Sequence, residues 1–131
     1  MKSTRRKKRF YITLIICVAF LSVFSIFFVN KLMATNILPV DSVAMSLVND
    51  GTYHGNSNNG LIEVEVEVTV SNHEITKIDI IKHNNGLGSK AEKITQNIIS
   101  EQSLEVDTIA SATYSSNTIL KAVENALLKG K

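Results

Sequence analysis

Twenty consecutive residues, Phe10 to Val29, carry no charge, and all but Thr13, Ser22 and Ser25 are apolar. A helix of that length rises about 30 Å, the thickness of bilayer hydrocarbon. Six Lys/Arg (Lys2, Arg5, Arg6, Lys7, Lys8, Arg9) precede the run and only Lys31 closely follows it, so the positive-inside rule places the N-terminus in the cytoplasm and all that follows Lys31 outside. A cleaved signal peptide shares the basic start. Its apolar stretch, however, is usually about 7–15 residues and ends in a small-residue site, which Leu32-Met33-Ala34 matches weakly. The run reads as an uncleaved anchor: residues 1–9 a basic cytoplasmic tail, 10–30 a single pass through the lipid bilayer of the cell membrane. Cys17 follows the bulky Ile16 and precedes further apolar residues, which fits a lipid-facing or helix-packed thiol rather than a lipidation site. It is the only cysteine, so disulfides take no part in the outer domain.

Charge separates the chain into two settings. From Ala34 onward seven Lys face twelve Asp+Glu, a net charge of −5, although the whole chain is formally +2. The basic excess belongs to the membrane flank, and nucleic acid is excluded as a partner of the acidic folded part. At 131 residues, with one anchor, there is room for one small core.

Residues 31–49 read as a linker holding the only proline, Pro39, and a short helical stretch at Asp41–Leu47. Residues 50–131 form the outer domain. All five Phe and Tyr11 lie in the apolar run, so the outer core must be built from Ile, Val and Leu, with Tyr53 and Tyr114 its only aromatics. Gly51–Gly55 suggests a short edge strand before a polar loop, Asn56–Gly60. From Leu61 to Val70, Ile62, Val64, Val66, Val68 and Val70 alternate with Glu63, Glu65, Glu67 and Thr69, a strand with one buried and one wet face. Ser71-Asn72-His73 is a tight connection to an antiparallel partner, Glu74–Lys82, with Ile75, Ile78, Ile80 and Ile81. The run His83 to Gly88 is a loop. Ser89 and Glu92 have capping-box spacing for a helix to about Gln102, and a last helix runs from about Ser116 with Ile119, Leu120, Val123 and Leu127 inward and Gly130 as its stop. The fold class is α+β: a small antiparallel sheet with two packed helices, preceded by one transmembrane helix.

Asp107 to Ser116, the segment DTIASATYSS, gathers small residues and hydroxyls just before that last helix. Small side chains let a flat ligand approach the backbone, and unpaired N–H groups with the helix dipole favour an anion near Thr113. The same hydroxyls also read as ordinary N-caps. Gly86-Leu87-Gly88 is either a ligand-lining loop or a plain turn. Tyr114 either stacks on a ligand or fills the core. His54, His73 and His83 lie on three separate segments without ligand-type spacing and read as solvent-exposed residues, not a metal site. The Glu63, Glu65, Glu67 row reads as the wet side of a sheet or a face for a cationic partner. No local Ser/His/Asp arrangement suggests a hydrolase.

Several segments together resemble the FMN-binding domain family: DGTYHG at 50–55, the strand Ile62–Val70, Gly86-Leu87-Gly88, QSLEVD at 102–107, ATYSSN at 112–117 and AVENAL at 122–127. That family includes flavin-bearing subunits of the sodium-pumping NADH:quinone oxidoreductase and of related membrane electron-transfer complexes. The resemblance implies FMN as cofactor, esterified through its phosphate to a threonine by a dedicated flavin transferase in the pattern Asp-x-x-Ser/Thr-Gly-Ala-Thr. On this chain Asp107 is the motif acid, Ala112 the motif alanine and Thr113 the acceptor, with Ser111, Tyr114, Ser115 and the Gly86, Leu87, Gly88 loop as further cofactor-binding residues. Ala110 stands where Ser or Thr is usual and Ser111 where Gly is usual; a glycine there serves a positive φ or a close approach. The flavin would carry the redox chemistry, with no catalytic side chain, making the chain an extracytoplasmic electron carrier more than an enzyme, with a membrane redox partner. Two other readings are a non-covalent FMN-dependent reductase and a flavin-free extracytoplasmic protein-interaction module.

Overall fold

A computed structural model describes residues 2–33, 36–84 and 89–131, and separates the chain into two compact units, Met1–Met33 and Ala34–Lys131. The first is a single helix, α1 (Lys2–Met33), whose stretch Lys7–Asn30 is long and apolar enough to cross a membrane. Thr13 and Ser22 donate their hydroxyls to carbonyls one turn back (Thr13 to Arg9 at 2.7 Å, Ser22 to Ala19 at 2.8 Å), so neither presents an unpaired hydroxyl to an apolar surround.

The second unit is a three-stranded antiparallel meander, β1 (Gly51–Asn58), β2 (Glu63–Ser71) and β3 (Glu74–Asn84), in the order β1-β2-β3. Two helices accompany it, α2 (Ile94–Glu101) and α3 (Thr113–Leu127), giving the α+β class expected from the sequence. In β2, Val64, Val66, Val68 and Val70 are buried while Glu65 stays exposed, because alternate side chains point to opposite faces. The β2–β3 turn holds Asn72 at φ 54° and His73 at φ 60°, the two left-handed residues of a type I′ hairpin. The Asp50 carboxylate accepts both turn N–H groups, from Asn72 at 2.9 Å and His73 at 3.0 Å.

The isoleucines of β3 do not alternate strictly, and the register gives the reason. Pairing shifts between Glu65 and Val66 and between Thr69 and Val70, so β3 carries an extra residue at Ile81 and another at Thr76. The bulge at Thr76 lets Ile75 and Ile78, three apart, both face the core; the one at Ile81 turns that side chain outward, 56% exposed.

Several elements differ from the sequence expectations. β1 is eight residues long and takes in Asn56–Asn58, because the polar residues there alternate with the inward-facing Gly55 and Ser57. The first outer helix opens as a 3-10 turn, Ser89–Lys93, and becomes α-helical only at Ile94; Glu92 of the expected capping box lies 2.9 Å from His83 Nδ1. The stretch Asp41–Leu47 forms only a 3-10 turn at Met45–Leu47. Gly130 is not a left-handed stop but closes a further turn, Leu128–Gly130, and is buried: a Cβ there would lie 2.7 Å from the Tyr53 ring and 2.8 Å from Val48.

The segment read as a linker packs along the domain from residue 38. Val48 is fully buried, and Val40, Val43 and Met45 rest on the core. Asn117 on α3 exchanges hydrogen bonds with both backbone groups of Leu38, and Glu124, about two turns on, accepts the Asp41 N–H at 3.3 Å. The core itself lies between the β2 valines and the inward faces of α2 (Ile94, Ile98) and α3 (Ile119, Leu120, Val123, Leu127).

Candidate functional site

Helix α3 runs antiparallel to β1. Its C-terminal half lies on the strand, with Gly55 against Ala122 and Ala126 and Gly130 against Tyr53. The N-terminus of α3 therefore faces the far end of the sheet, where Asn58, Glu63 and Asn84 lie. Gly86, Leu87 and Gly88 lie outside the described residues. Their neighbours Asn84 and Ser89 belong to the end of β3 and to the 3-10 turn that packs against α3.

The approach to α3 is locked by a ring of three hydrogen bonds. Ala112 N–H donates to the Ile109 carbonyl at 2.9 Å, Ser116 N–H donates to the Ala112 carbonyl at 2.9 Å, and Ile109 N–H donates to Ser116 Oγ at 3.0 Å. Inside this ring Ser111 sits at φ 65°, in the left-handed region that glycine fills without steric cost. The motif position where glycine is usual is thus a position whose backbone suits glycine.

The ring also moves the helix start to Thr113, three residues before the expected Ser116, with Ala112 as N-cap. Alanine has no side-chain acceptor, and no acidic residue occupies the first turn. The first-turn N–H groups, which have no acceptor within the helix, and the positive end of the dipole are thus left to another partner. None of the hydroxyls serves as the N-cap. Ser116 is fully buried and reaches back to Ile109, Thr118 donates to the Tyr114 carbonyl at 2.8 Å, and Ser115 is buried.

Thr113 is exposed, and its hydroxyl makes no hydrogen bond to any described residue. Tyr114, 47% exposed, is a surface ring, not a core residue. Ser111 and Asp107 are exposed, while Ala112 is buried. Among the described candidates, the structure gathers Ser111, Ala112, Thr113, Tyr114 and Ser115 at one helix end.

The histidines separate as their spacing suggested, with one correction. His54 is exposed and pairs with Glu67 at 3.1 Å, and His73 Nδ1 lies 2.7 Å from the Val48 carbonyl. The His83 side chain, expected in solvent, is only 2% exposed; β3 extends to Asn84 and brings it within 2.9 Å of Glu92. Glu63 accepts from Lys82 at 2.8 Å, and this contact and the Lys82 charge hold its carboxyl below the usual range.

Sequence reasoning missed Ser116 as the residue that holds the turn. It lies on the stripe Ser116, Ile119, Leu120, Val123, Leu127, and a polar residue on a buried stripe is the available signal that a partner awaits it.

The fold is a small α+β domain in which the start of α3 carries no capping side chain. Residues 59–128 match the family described as the FMN-binding domain, and the chain belongs to that family. It is thus a flavin-binding protein. An NADH:acrylate oxidoreductase from Vibrio harveyi is 38% identical over 84 residues, covering 60% of this chain and 8% of its own length. The chain therefore spans only a small part of that curated relative. No solved structure matches.

Proposed function

We propose that this chain is a membrane-anchored extracytoplasmic flavoprotein that holds FMN through a phosphoester to Thr113 and relays electrons between a membrane redox partner and an outer acceptor. The observation that carries this reading is the placement of Thr113: an exposed hydroxyl on the first residue of a helix whose N-cap is alanine, two residues after the left-handed Ser111. A phosphate monoester suits that end, because the free first-turn N–H groups and the dipole favour its negative charge.

Each nearby residue has a part in this reading. Thr113 supplies the ester oxygen. The Ser111 turn, fixed by Ser116, presents that oxygen to a flavin transferase, and exposed Asp107 is the motif acid that the transferase meets. Tyr114 offers an exposed aromatic face to the ring system. Bound FMN supplies the electron-transfer chemistry, while the protein holds and orients it. A covalent tether keeps the local concentration high outside the cytoplasm, where a dissociated flavin would diffuse away.

The apolar helix Lys7–Asn30, with basic residues before it, supports anchoring with the N-terminus in the cytoplasm. Family membership and the oxidoreductase name of the Vibrio harveyi relative support electron transfer. On this reading residues 31–49 join the anchor to a domain at 50–131. Ala110 and Ser111, which depart from the motif, favour a second reading in which FMN is bound without a covalent bond.

Co-expression with and without a flavin transferase, followed by denaturation, distinguishes the two. Covalent attachment gives a fluorescent chain heavier by FMN minus water, a gain abolished in Thr113→Ala and retained in Thr113→Ser. Flavin released on denaturation supports the second reading. A colourless protein with no affinity for added FMN overturns both.

A further inference from the structure

The chain enters its outer domain close to Thr113. Asn117 takes both backbone groups of Leu38, and Glu124 accepts the Asp41 N–H, so the path of the entering segment along α3 is fixed from Leu38 onward. Asn117 lies one turn after Thr113 on α3, about 6 Å along the helix axis. Leu38 also shares a cleft with Asn58 and Glu63, the residues on either side of the turn 59–62. The entry point, that turn and the start of α3 therefore occupy one end of the domain.

Three large apolar side chains stand exposed at this end. Ile37, next to Leu38, is 62% exposed, and Leu61, in the 59–62 turn, is 39% exposed. Tyr114, one turn before Asn117 and so on the same side of α3, is 47% exposed. Two aliphatic side chains beside a tyrosine suit the water–lipid interface, where the ring meets apolar surface and its hydroxyl stays wet. Glu63 and Glu124 on this side are already paired, accepting from Lys82 and Lys121 at 2.8 Å.

Leu47 and Leu128 are a second exposed pair, 60% and 46%, but they belong to the opposite end, where Val48 meets Gly130. Chain length decides between the two ends. Residues 34–36 alone separate Ile37 from Met33, the last residue of α1, so the chain spans at most about 14 Å between them. From Asn117 to Leu128 the helix rises about 16 Å more.

We propose that the end of the domain carrying Ile37, Leu61 and Tyr114 docks on the bilayer surface, with these side chains in the headgroup layer. Docking rests on α1 serving as the anchor, as in the proposed function. It would hold Thr113, at the same end, near headgroup level, so that electrons pass to or from a redox group in the membrane and not a diffusing carrier.

The isotope-labelled full chain in phosphatidylcholine nanodiscs, with a nitroxide first on the lipid headgroup and then on the acyl chain, tests this by NMR. The acyl-chain label should broaden α1 whether or not the domain docks. The headgroup label should broaden the amides of Ile37, Leu61 and Tyr114 and spare Leu128 and the Asn72-His73 turn. A tether alone also keeps this end near lipid, so the variants are decisive. Ile37→Glu and Leu61→Glu, both at exposed positions, should each abolish the broadening at Tyr114 with an unchanged thermal midpoint, and Ile37→Leu should retain it. Broadening at Tyr114 that survives both Glu variants, is uniform over the domain, or is strongest at Leu128 overturns docking, with α1 still broadened. An α1 untouched by the acyl-chain label overturns anchoring and docking together, and the mass measured at Thr113 stands apart from both.

Discussion

Asn117 holds Leu38 by both of its backbone polar groups. Leu38 N–H donates to Asn117 Oδ1 at 2.7 Å and Asn117 Nδ2 donates to the Leu38 carbonyl at 2.8 Å, across 79 positions of sequence. One side-chain amide replaces the pairing that a neighbouring strand would give. Gln102 does the same for Ile75 on β3, accepting its N–H at 2.7 Å and donating to its carbonyl at 2.8 Å. Replacing Asn117 with Ala removes two partly buried hydrogen bonds, each worth about 0.5–1.5 kcal/mol. The Leu38 amide is expected to exchange at least about tenfold faster, with the β2 amides unchanged. Equal acceleration in both would mean that the segment and the sheet open as one unit.

Ser111 in the left-handed region costs about 1–2 kcal/mol relative to a relaxed backbone, against the roughly 0.5–1 kcal/mol by which glycine gains freedom in the unfolded chain. Ser111→Gly should therefore raise the thermal midpoint by a few degrees. It should also shorten the time course of mass gain at Thr113. A lower midpoint would mean that the Ser111 side chain contributes a contact of its own.

Gly55→Ala has the opposite sign. A Cβ there would collide with the Ala122 carbonyl oxygen and lie 2.6 Å from the Ala126 backbone nitrogen. Neither backbone atom can move without displacing α3 from β1, so a loss of about 3 kcal/mol or more is expected. Urea denaturation of the full chain measures it, and an unshifted midpoint would show that α3 yields easily.

Asp50 gives a pH dependence of known direction. The His73 and Asn72 backbone N–H groups at the β2–β3 turn hold its carboxyl below its usual value of 3.8. A carboxylate depressed in the folded state stabilises above its unfolded pKa, and that contribution fades as pH falls through the folded pKa. Thermal midpoints recorded below about pH 4 should fall less steeply in Asp50→Asn than in the parent. Parallel curves would remove Asp50 from the acid response.

Much of this was readable in the chain. An uncharged run needs only its length to declare a helix, and the alternation in β2 needs only its period, since both signals come from neighbours in sequence. The two-residue connection at Asn72-His73 was similarly visible. The start of α3 at Thr113 was not, because Ala112 has no capping side chain and Ser116, the expected start, accepts instead from the Ile109 N–H. The two bulges in β3 were hidden because an extra residue is defined only against a partner strand. His83 looked solvent-exposed for the same reason: its burial and its contact with Glu92 arise only in the folded chain. The Gly86-Leu87-Gly88 loop lies outside the described residues, so its place in the site rests on family resemblance.

Composition and periodicity alone determined an apolar helix, a valine-faced antiparallel sheet and a last helix with one apolar face, because burying apolar surface at a fixed spacing is a local instruction. Tertiary structure decided which polar atoms met. Leu38 with Asn117 and Ile109 with Ser116 follow from where chain segments cross. Hydrogen bonds are short and directional, so the residue types permit many pairings and only the folded backbone selects among them.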